Sequence, residues 1–424
     1  MRVAVVCRDG VMRNDVFYPW CNGTANRILA STRQKPEANS WQGTMNTHLL
    51  TTGSSLSSRR SFIKQIPAGL GLAAVSFGTL AEAMASVKQR PPVKPLGIAL
   101  VGLGYYSTDL LAPALQETKN VRLAGIVTGT PAKAAAWKEK YGIPEKNIYS
   151  YETFDRIADN PDIDIIYVVL PNSMHAEYTI RAFQAGKHVI CEKPMALSVR
   201  ECASMIEAAE KAGKKFSIGY RMHFETTTQE IMRIGREQVY GPIRLVTAGA
   251  GYREGRSDHW KLKKAYGGGA MMDMGVYSLQ AARYATGEEP IAVTAQTFTT
   301  RPDMFKEVDE TTLFQLEFPS GAVASLSTSF GMNMNYLQVT AQNGWYRLDP
   351  FSSYSGIKGE SKDGPLNYPV INQQAAQMDE FAQNIIDNTP VRVPGEEGLK
   401  DMRVVEAIYQ SIRTGEKVTL PPIS

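Results

Sequence analysis

Lys193, Asp273 and Tyr277 are the residues of this chain whose types and spacing could move a proton. Lys193 lies in Cys191-Glu192-Lys193-Pro194, directly after the apolar run His188-Val189-Ile190-Cys191, which reads as a buried strand. Asp273 and Tyr277 follow Gly267-Gly268-Gly269, where a loop enters a helix. Four residues apart, they share one helix face. A tyrosine beside a lysine can take the proton of a hydroxyl, because the ammonium favours the phenolate. The aspartate would hold substrate hydroxyls or orient the lysine. The bland alternative is that Asp273 caps a turn and Tyr277 packs in a core.

The elements ahead of Lys193 favour the chemical reading. Leu96 to Val101 is a short apolar strand, followed at once by Gly102-Leu103-Gly104 and a helical pattern of Leu110, Leu111, Ala114 and Leu115. Strand, glycine turn and helix are the context of a dinucleotide site. Gly102 allows the tight turn, and Gly104 lets the backbone approach a pyrophosphate at the helix N-terminus. Ser107 stands where a third glycine is usual. The second strand, Leu123 to Val127, ends in Thr128-Gly129-Thr130, without the acid that would hold a ribose 2′-hydroxyl. Thr128 and Lys133 suit a 2′-phosphate instead, which favours NADP over NAD; Lys133 alone reads equally as a solvated helix lysine. A strand from Ile163 ends at Leu170, before Pro171-Asn172-Ser173-Met174-His175. Leu170, Asn172 and His175 are therefore candidate cofactor contacts, with a packing or capping role for His175 as the alternative. Glu192 and Lys193 end the next strand, where a nicotinamide ring would lie.

From Arg221 the pattern changes to alternating β-formers: Ile291–Thr299, Thr311–Phe318, Ala322–Phe330, Tyr336–Ala341 and Gly344–Leu348. These predict a large, mostly antiparallel sheet with one open face, in an α+β domain over residues 221–424. The whole is an α/β protein whose Rossmann domain spans residues 96–220. Residues 1–85 hold 9 of the 46 Lys/Arg and 4 of the 42 Asp/Glu. The remainder is close to neutral, which gives a nucleic-acid partner no support, and none is expected. Cys191 and Cys202 read as buried thiols, and no cysteine has metal-ligand spacing, so no metal is expected.

Ser58-Arg59-Arg60-Ser61-Phe62-Ile63-Lys64, a weakly apolar run to Leu80 and Ala81-Glu82-Ala83-Met84-Ala85 make a twin-arginine export signal. The run is too short for a permanent membrane anchor. The expected partner is the twin-arginine export machinery and the expected location the periplasm. Residues 1–44 are unusual upstream of such a signal, and Met45 would give a more ordinary leader. Residues 86–95, with three prolines, read as an extended arm.

Taken together, Val101-Gly102-Leu103-Gly104, Leu170-Pro171-Asn172-Ser173-Met174-His175-Ala176-Glu177, Cys191-Glu192-Lys193-Pro194, Gly219-Tyr220-Arg221-Met222-His223, Gly267-Gly268-Gly269 with Asp273 and Tyr277, and Pro394-Gly395-Glu396-Glu397-Gly398 resemble the Gfo/Idh/MocA oxidoreductases. The similarity runs from about residue 96 to 417, and Tyr277 resembles the sugar-oxidising branch. The resemblance implies tightly held NADP(H), oxidation of an aldose at C1 to the lactone, a second sugar as acceptor, and homo-dimers or tetramers built through the open sheet face. It implies that Tyr105, Tyr106, Arg221, Trp260 and Lys261 lie along the cofactor. Trp260-Lys261 departs from the family's Trp-Arg pair, so bidentate geometry is lost there. Ala135 stands where a second basic residue is expected. An NAD-dependent glycosidase of the same fold would predict an acid at Thr128, and a non-catalytic sugar sensor would predict loss of Lys193 or Tyr277.

Overall fold

In a computed structural model of the chain, residues 94–422 are described. The export signal and most of the arm lie outside them. The described chain begins with β1 (Leu96–Val101), and five further strands join it: β2 (Val121–Val127), β3 (Ile148–Tyr149), β4 (Ile165–Val168), β5 (His188–Cys191) and β6 (Phe216–Ile218). All pair in parallel, in the order β3-β2-β1-β4-β5-β6. That order is the doubly wound nucleotide-binding arrangement.

The apolar runs become central strands because both faces are covered. Along β1, alternate residues face opposite cores. Ile98 and Leu100 pack with Leu111, Trp137, Met378 and Phe381. Ala99 and Val101 join Phe183, Met205 and Ile218 on the other side. The helices of this part are α1 (Ala112–Ala114), which continues a π-helical stretch at Tyr106–Leu111, then α2 (Pro131–Tyr141), α3 (His175–Gln184) and α4 (Val199–Ala212). Ser198 caps α4, accepting a hydrogen bond from the Glu201 N–H. Cys191 and Cys202 are buried free thiols, and burial pushes both pKa values up, that of Cys202 to about 12.

After α5 (Thr226–Arg236), a nine-stranded sheet forms from β7 (Ile243–Gly251), β8 (Ala292–Phe298), β9 (Thr311–Glu317), β10 (Val323–Ser329), β11 (Met334–Ala341), β12 (Gly344–Leu348), β13 (Gly359–Ser361), β14 (Gly364–Leu366) and β15 (Val418–Thr419). Every pairing is antiparallel except that of β7 with β10. One face is covered by α6 (Val276–Thr286), all of whose residues are buried, and by α8 (Gly395–Thr414). The other face presents Leu245, Phe298, Leu313, Val323 and Tyr336 to solvent. Between these elements, α7 (Gln373–Ile386) returns to the first sheet, burying Met378 and Phe381 against Leu100. A division at Arg221 thus describes the chain order, while α7 belongs spatially to the first layer.

Gly102 has φ of +93°, and a Cβ there would stand 2.4 Å from the Val169 carbonyl oxygen. Gly102→Ala is expected to cost about 1–3 kcal/mol of folding stability. Urea unfolding reads this directly, and nucleotide titration of the variant should show weakened binding; wild-type values in both would contradict the assigned turn.

Candidate active site

The C-terminal ends of the six parallel strands lie along one edge of the first sheet, where such sheets bind ligands. At the glycine turn, the Ser107 hydroxyl donates to Gly102 O (2.6 Å) and fixes the turn from within. The space where a Cβ of Gly104 would point is open for 4 Å. The helix beginning at Tyr106 has no side-chain cap, so its first N–H groups are available to an anion. Tyr105 is exposed beside it. The Lys133 ammonium reaches back and donates to Leu103 O at 3.0 Å, which brings a cation against the turn. Thr128 is buried at the end of β2, and its hydroxyl oxygen accepts from Thr130 N–H, leaving its own proton to donate. This cradle fits a dinucleotide.

Glu192 and Lys193 leave β5 in opposite directions. Glu192 is buried; the Tyr167 hydroxyl donates to its Oε1 (2.7 Å), the Lys193 N–H donates to Oε2 (3.2 Å), and Gln377 donates to Tyr167 (3.0 Å). Burial pushes its pKa up. The Lys193 ammonium crosses to the second part of the chain and donates to Asp273, at the carbonyl oxygen (2.8 Å) and at Oδ1 (3.4 Å). Asp273 lies in a π-helical turn, Met271–Gly275, that runs straight into α6. Its second carboxylate oxygen accepts from Lys261 (2.6 Å) and from the Tyr252 hydroxyl (3.2 Å).

These partners decide the protonation states. Burial alone would raise the pKa of Asp273, but the Lys261 and Lys193 ammoniums hold it well below the usual carboxylate range. Burial alone would lower that of Lys193, but the facing Tyr277 and Asp273 hold it above the ordinary lysine value. Tyr277 lies one turn beyond Asp273. The Lys193 ammonium sits over its ring, 4.7 Å from the centroid, and the Arg221 guanidinium also faces the ring at 5.3 Å. The cation nearest the hydroxyl is therefore Arg221, whose Nη2 donates at 3.5 Å. Arg221 also donates to Ser352 O, Ser353 O and Gln373, while its Nε is buried without a partner, as expected of a group that meets a ligand. Tyr106 and Tyr354 close this side, with ring centroids 5.9 Å apart and Arg221 4.5 Å from the Tyr354 ring. Burial, then the Glu192 carboxylate, push the Tyr106 pKa up; burial does the same at Tyr252 and Tyr354.

The fold thus gathers Lys193, Asp273, Tyr277, Glu192, Arg221, Lys261 and Tyr106. Lys261, expected along the cofactor, has its ammonium on Asp273. Trp260 stands beside it, against His259 at 5.8 Å between ring centroids. His175 takes the packing role: it is fully buried, with its ring nitrogens 2.8 Å from Pro194 O and 2.9 Å from Leu170 O. Burial lowers its pKa, so it is neutral and ties two strand-end loops together. Asn172 donates to Gly267 O (2.8 Å), locking the first sheet to the glycine loop. Leu170 is buried against Gly102. Tyr252 and Tyr354 were not legible in the sequence. The period-2 pattern of β7 could have marked Tyr252 as its end; the loop carrying Tyr354 has no pattern. Among the described residues, no cluster of His, Cys, Asp or Glu could hold a metal ion, and no helix is long and apolar enough to cross a membrane.

Asp273 has a depressed pKa in the fold, so its ion pairs stabilise above the unfolded carboxylate value and are lost as pH falls through the folded one. Lys261→Met removes one partner. Stability at neutral pH should fall, and its further decline below about pH 5 should become shallower than in the wild type. Urea unfolding across that range measures both; an unchanged slope would mean that Lys261 does not set the charge of Asp273.

A family model described as "Oxidoreductase family, NAD-binding Rossmann fold" matches residues 96–220, and one described as "GFO/IDH/MocA C-terminal domain" matches residues 228–347. The chain is similar to D-xylose 1-dehydrogenase (NADP(+)) of Haloarcula marismortui, at 26% identity over 337 residues, covering 77% of this chain and 93% of that one. It is also similar to D-glucoside 3-dehydrogenase of Escherichia coli, at 28% over 350 residues, covering 77% and 98%. Among solved structures, the aldose–aldose oxidoreductase of Caulobacter crescentus, crystallised with glycerol, matches with a TM-score of 0.75 and 46% identity, over 77% of this chain and all of that one. With its glycine turn, its Glu192-Lys193-Pro194 corner and its open nine-stranded sheet, this chain belongs to the Gfo/Idh/MocA oxidoreductase family.

Proposed function

We propose that this enzyme oxidises a cyclic aldose at C1 to the lactone, uses NADP, and returns the reducing equivalents to a second sugar. The carrying observation is the setting of Tyr277. Lys193 and Arg221 both face its ring, and the carboxylate beside it is a poor base because two ammoniums hold its pKa well below the usual range. Lys193 keeps its proton, and Tyr106, Tyr252 and Tyr354 hold theirs. Tyr277 is left to take the sugar's hydroxyl proton. To do so it must act as the phenolate, an anion that the facing Lys193 and Arg221 cations stabilise, and the arriving proton returns it to the neutral phenol. Asp273 orients Lys193 and offers acceptor capacity to neighbouring hydroxyls. When bound along Gly102, Gly104, Thr128 and Lys133, the nicotinamide cofactor supplies the hydride-accepting carbon.

The relatives support this reading in different measure. The xylose dehydrogenase shares the proposed carbon and cofactor, and the Caulobacter enzyme the proposed pairing of two aldoses. The glucoside 3-dehydrogenase acts elsewhere on the ring, so the product is the discriminating observable. Incubation of the purified enzyme with glucose or xylose should yield the 1,5-lactone and its acid; a 3-keto sugar would overturn the C1 assignment. The leader supports export to the periplasm, which fractionation with and without Arg59-Arg60 tests. The apolar open sheet face supports a homo-oligomer, which sedimentation tests.

The cofactor preference rests on Thr128. A carboxylate there would accept from a 2′-hydroxyl and repel a 2′-phosphate. Thr128→Asp is expected to reverse the preference from NADP to NAD, read as the ratio of dissociation constants. A wild type that binds NAD as well as NADP would sink the assignment.

A further inference from the structure

The carboxylate of Asp273 does its work only where the helix start puts it, and that start is held from behind by a group outside the site. Asp309 lies in the loop between β8 and β9. Its Oδ2 accepts from the Met271 N–H (2.7 Å) and the Thr312 hydroxyl (2.9 Å), and its Oδ1 accepts from the Tyr409 hydroxyl of α8 (3.0 Å). Its backbone oxygen accepts from the Ala270 N–H (3.1 Å). Gly269 allows the approach: its φ is +115°, and a Cβ would stand 2.3 Å from Asp309 Oδ1. The Asp273 N–H in turn donates to Gly269 O at 3.1 Å. Asp309 therefore grips Ala270 and Met271, the N-terminal start of the turn that carries Asp273. As an acid at a helix N-terminus it also meets the positive end of the helix dipole. Among the described residues, the side chains of Asp309 and Tyr409 make no hydrogen bond to Lys193, Lys261 or Tyr277. Burial raises the pKa of Asp309 against three side-chain and backbone donors, so this is a costly group to keep where only packing is needed.

We propose that Asp309, steadied by Tyr409, is a positioning residue: it sets the start of the Met271–Gly275 turn so that Asp273 meets both ammoniums at once. This rests on the reading of Asp273 as part of the reacting site. A double-mutant cycle on the NADP-loaded enzyme separates the two claims. Asp309→Asn should lower kcat for aldose oxidation roughly tenfold, with the NADP dissociation constant unchanged. In an Asp273→Asn background the same change should alter kcat less than about twofold, because residues acting through one another are not additive. Tyr409→Phe keeps the ring packing and should show the same pattern at smaller size, and it decides the matter if Asp309→Asn does not fold. Losses that multiply in the double variant, or wild-type kcat in Asp309→Asn or in Tyr409→Phe, would overturn the proposal. Wild-type kcat in Asp273→Asn alone would instead overturn the role given to Asp273.

Discussion

Asp273 sits between two ammonium groups, Lys193 on one carboxylate oxygen and Lys261 on the other, where little water reaches any of the three. A lone charge in such a place costs several kcal/mol. The three are tolerated because they face one another and because Tyr252 and the Asp273 carbonyl take up further hydrogen-bonding capacity. Each charge comes from a different element: the end of β5, the short helical turn at Trp260–Leu262, and the start of the long buried helix. The triad therefore requires that the parallel sheet, the loop and the helix meet within hydrogen-bond distance. Much of the surrounding structure serves that meeting. Asn172 ties the first sheet to the glycine loop, His175 ties two strand-end loops, and Arg221 gathers the 352–353 loop onto the same edge.

The electrostatic consequence is a division of roles. A site in which neighbouring titratable groups are pushed apart assigns acid and base by environment. Here one carboxylate is locked ionised and one lysine locked protonated, so neither exchanges protons readily at neutral pH. The phenol of Tyr277 beside them, faced by two cations, is the group to which the proposed reaction gives the proton transfer. The sequence suggests Lys193 as the partner of the tyrosine hydroxyl. The structure divides that role, with Lys193 over the ring and Arg221 nearer the oxygen.

The parallel sheet was legible because its strands are buried on both faces and so appear as unbroken apolar runs, and because glycines must stand where the backbone turns tightly. The chain gives β1 and β12 with their observed bounds. The second sheet was legible through alternation, but β13, β14 and β15 are only two or three residues long and leave no period to detect. The return of α7 to the first sheet was hidden, because its apolar face does not say which core it fills. In the site, Lys193, Asp273 and Tyr277 could be paired from spacing and motif. Tyr252, Tyr354 and Asp309 act through contacts more than twenty residues distant in sequence, which no local pattern encodes. Lys261 was legible as a site residue but not as an Asp273 partner, since its direction depends on the turn that presents it.

The central claim is that Tyr277 accepts the sugar hydroxyl proton. It is tested most directly by single-turnover reduction of the bound nucleotide with an aldose, comparing wild type with Tyr277→Phe. The substitution keeps the ring that Lys193 and Arg221 face and removes only the hydroxyl. The expected result is a hydride step slower by roughly 10²–10⁴-fold, with nucleotide and sugar affinities and the unfolding midpoint close to wild type. A variant that reduces its nucleotide at the wild-type rate would contradict the account and place the base elsewhere in the cluster.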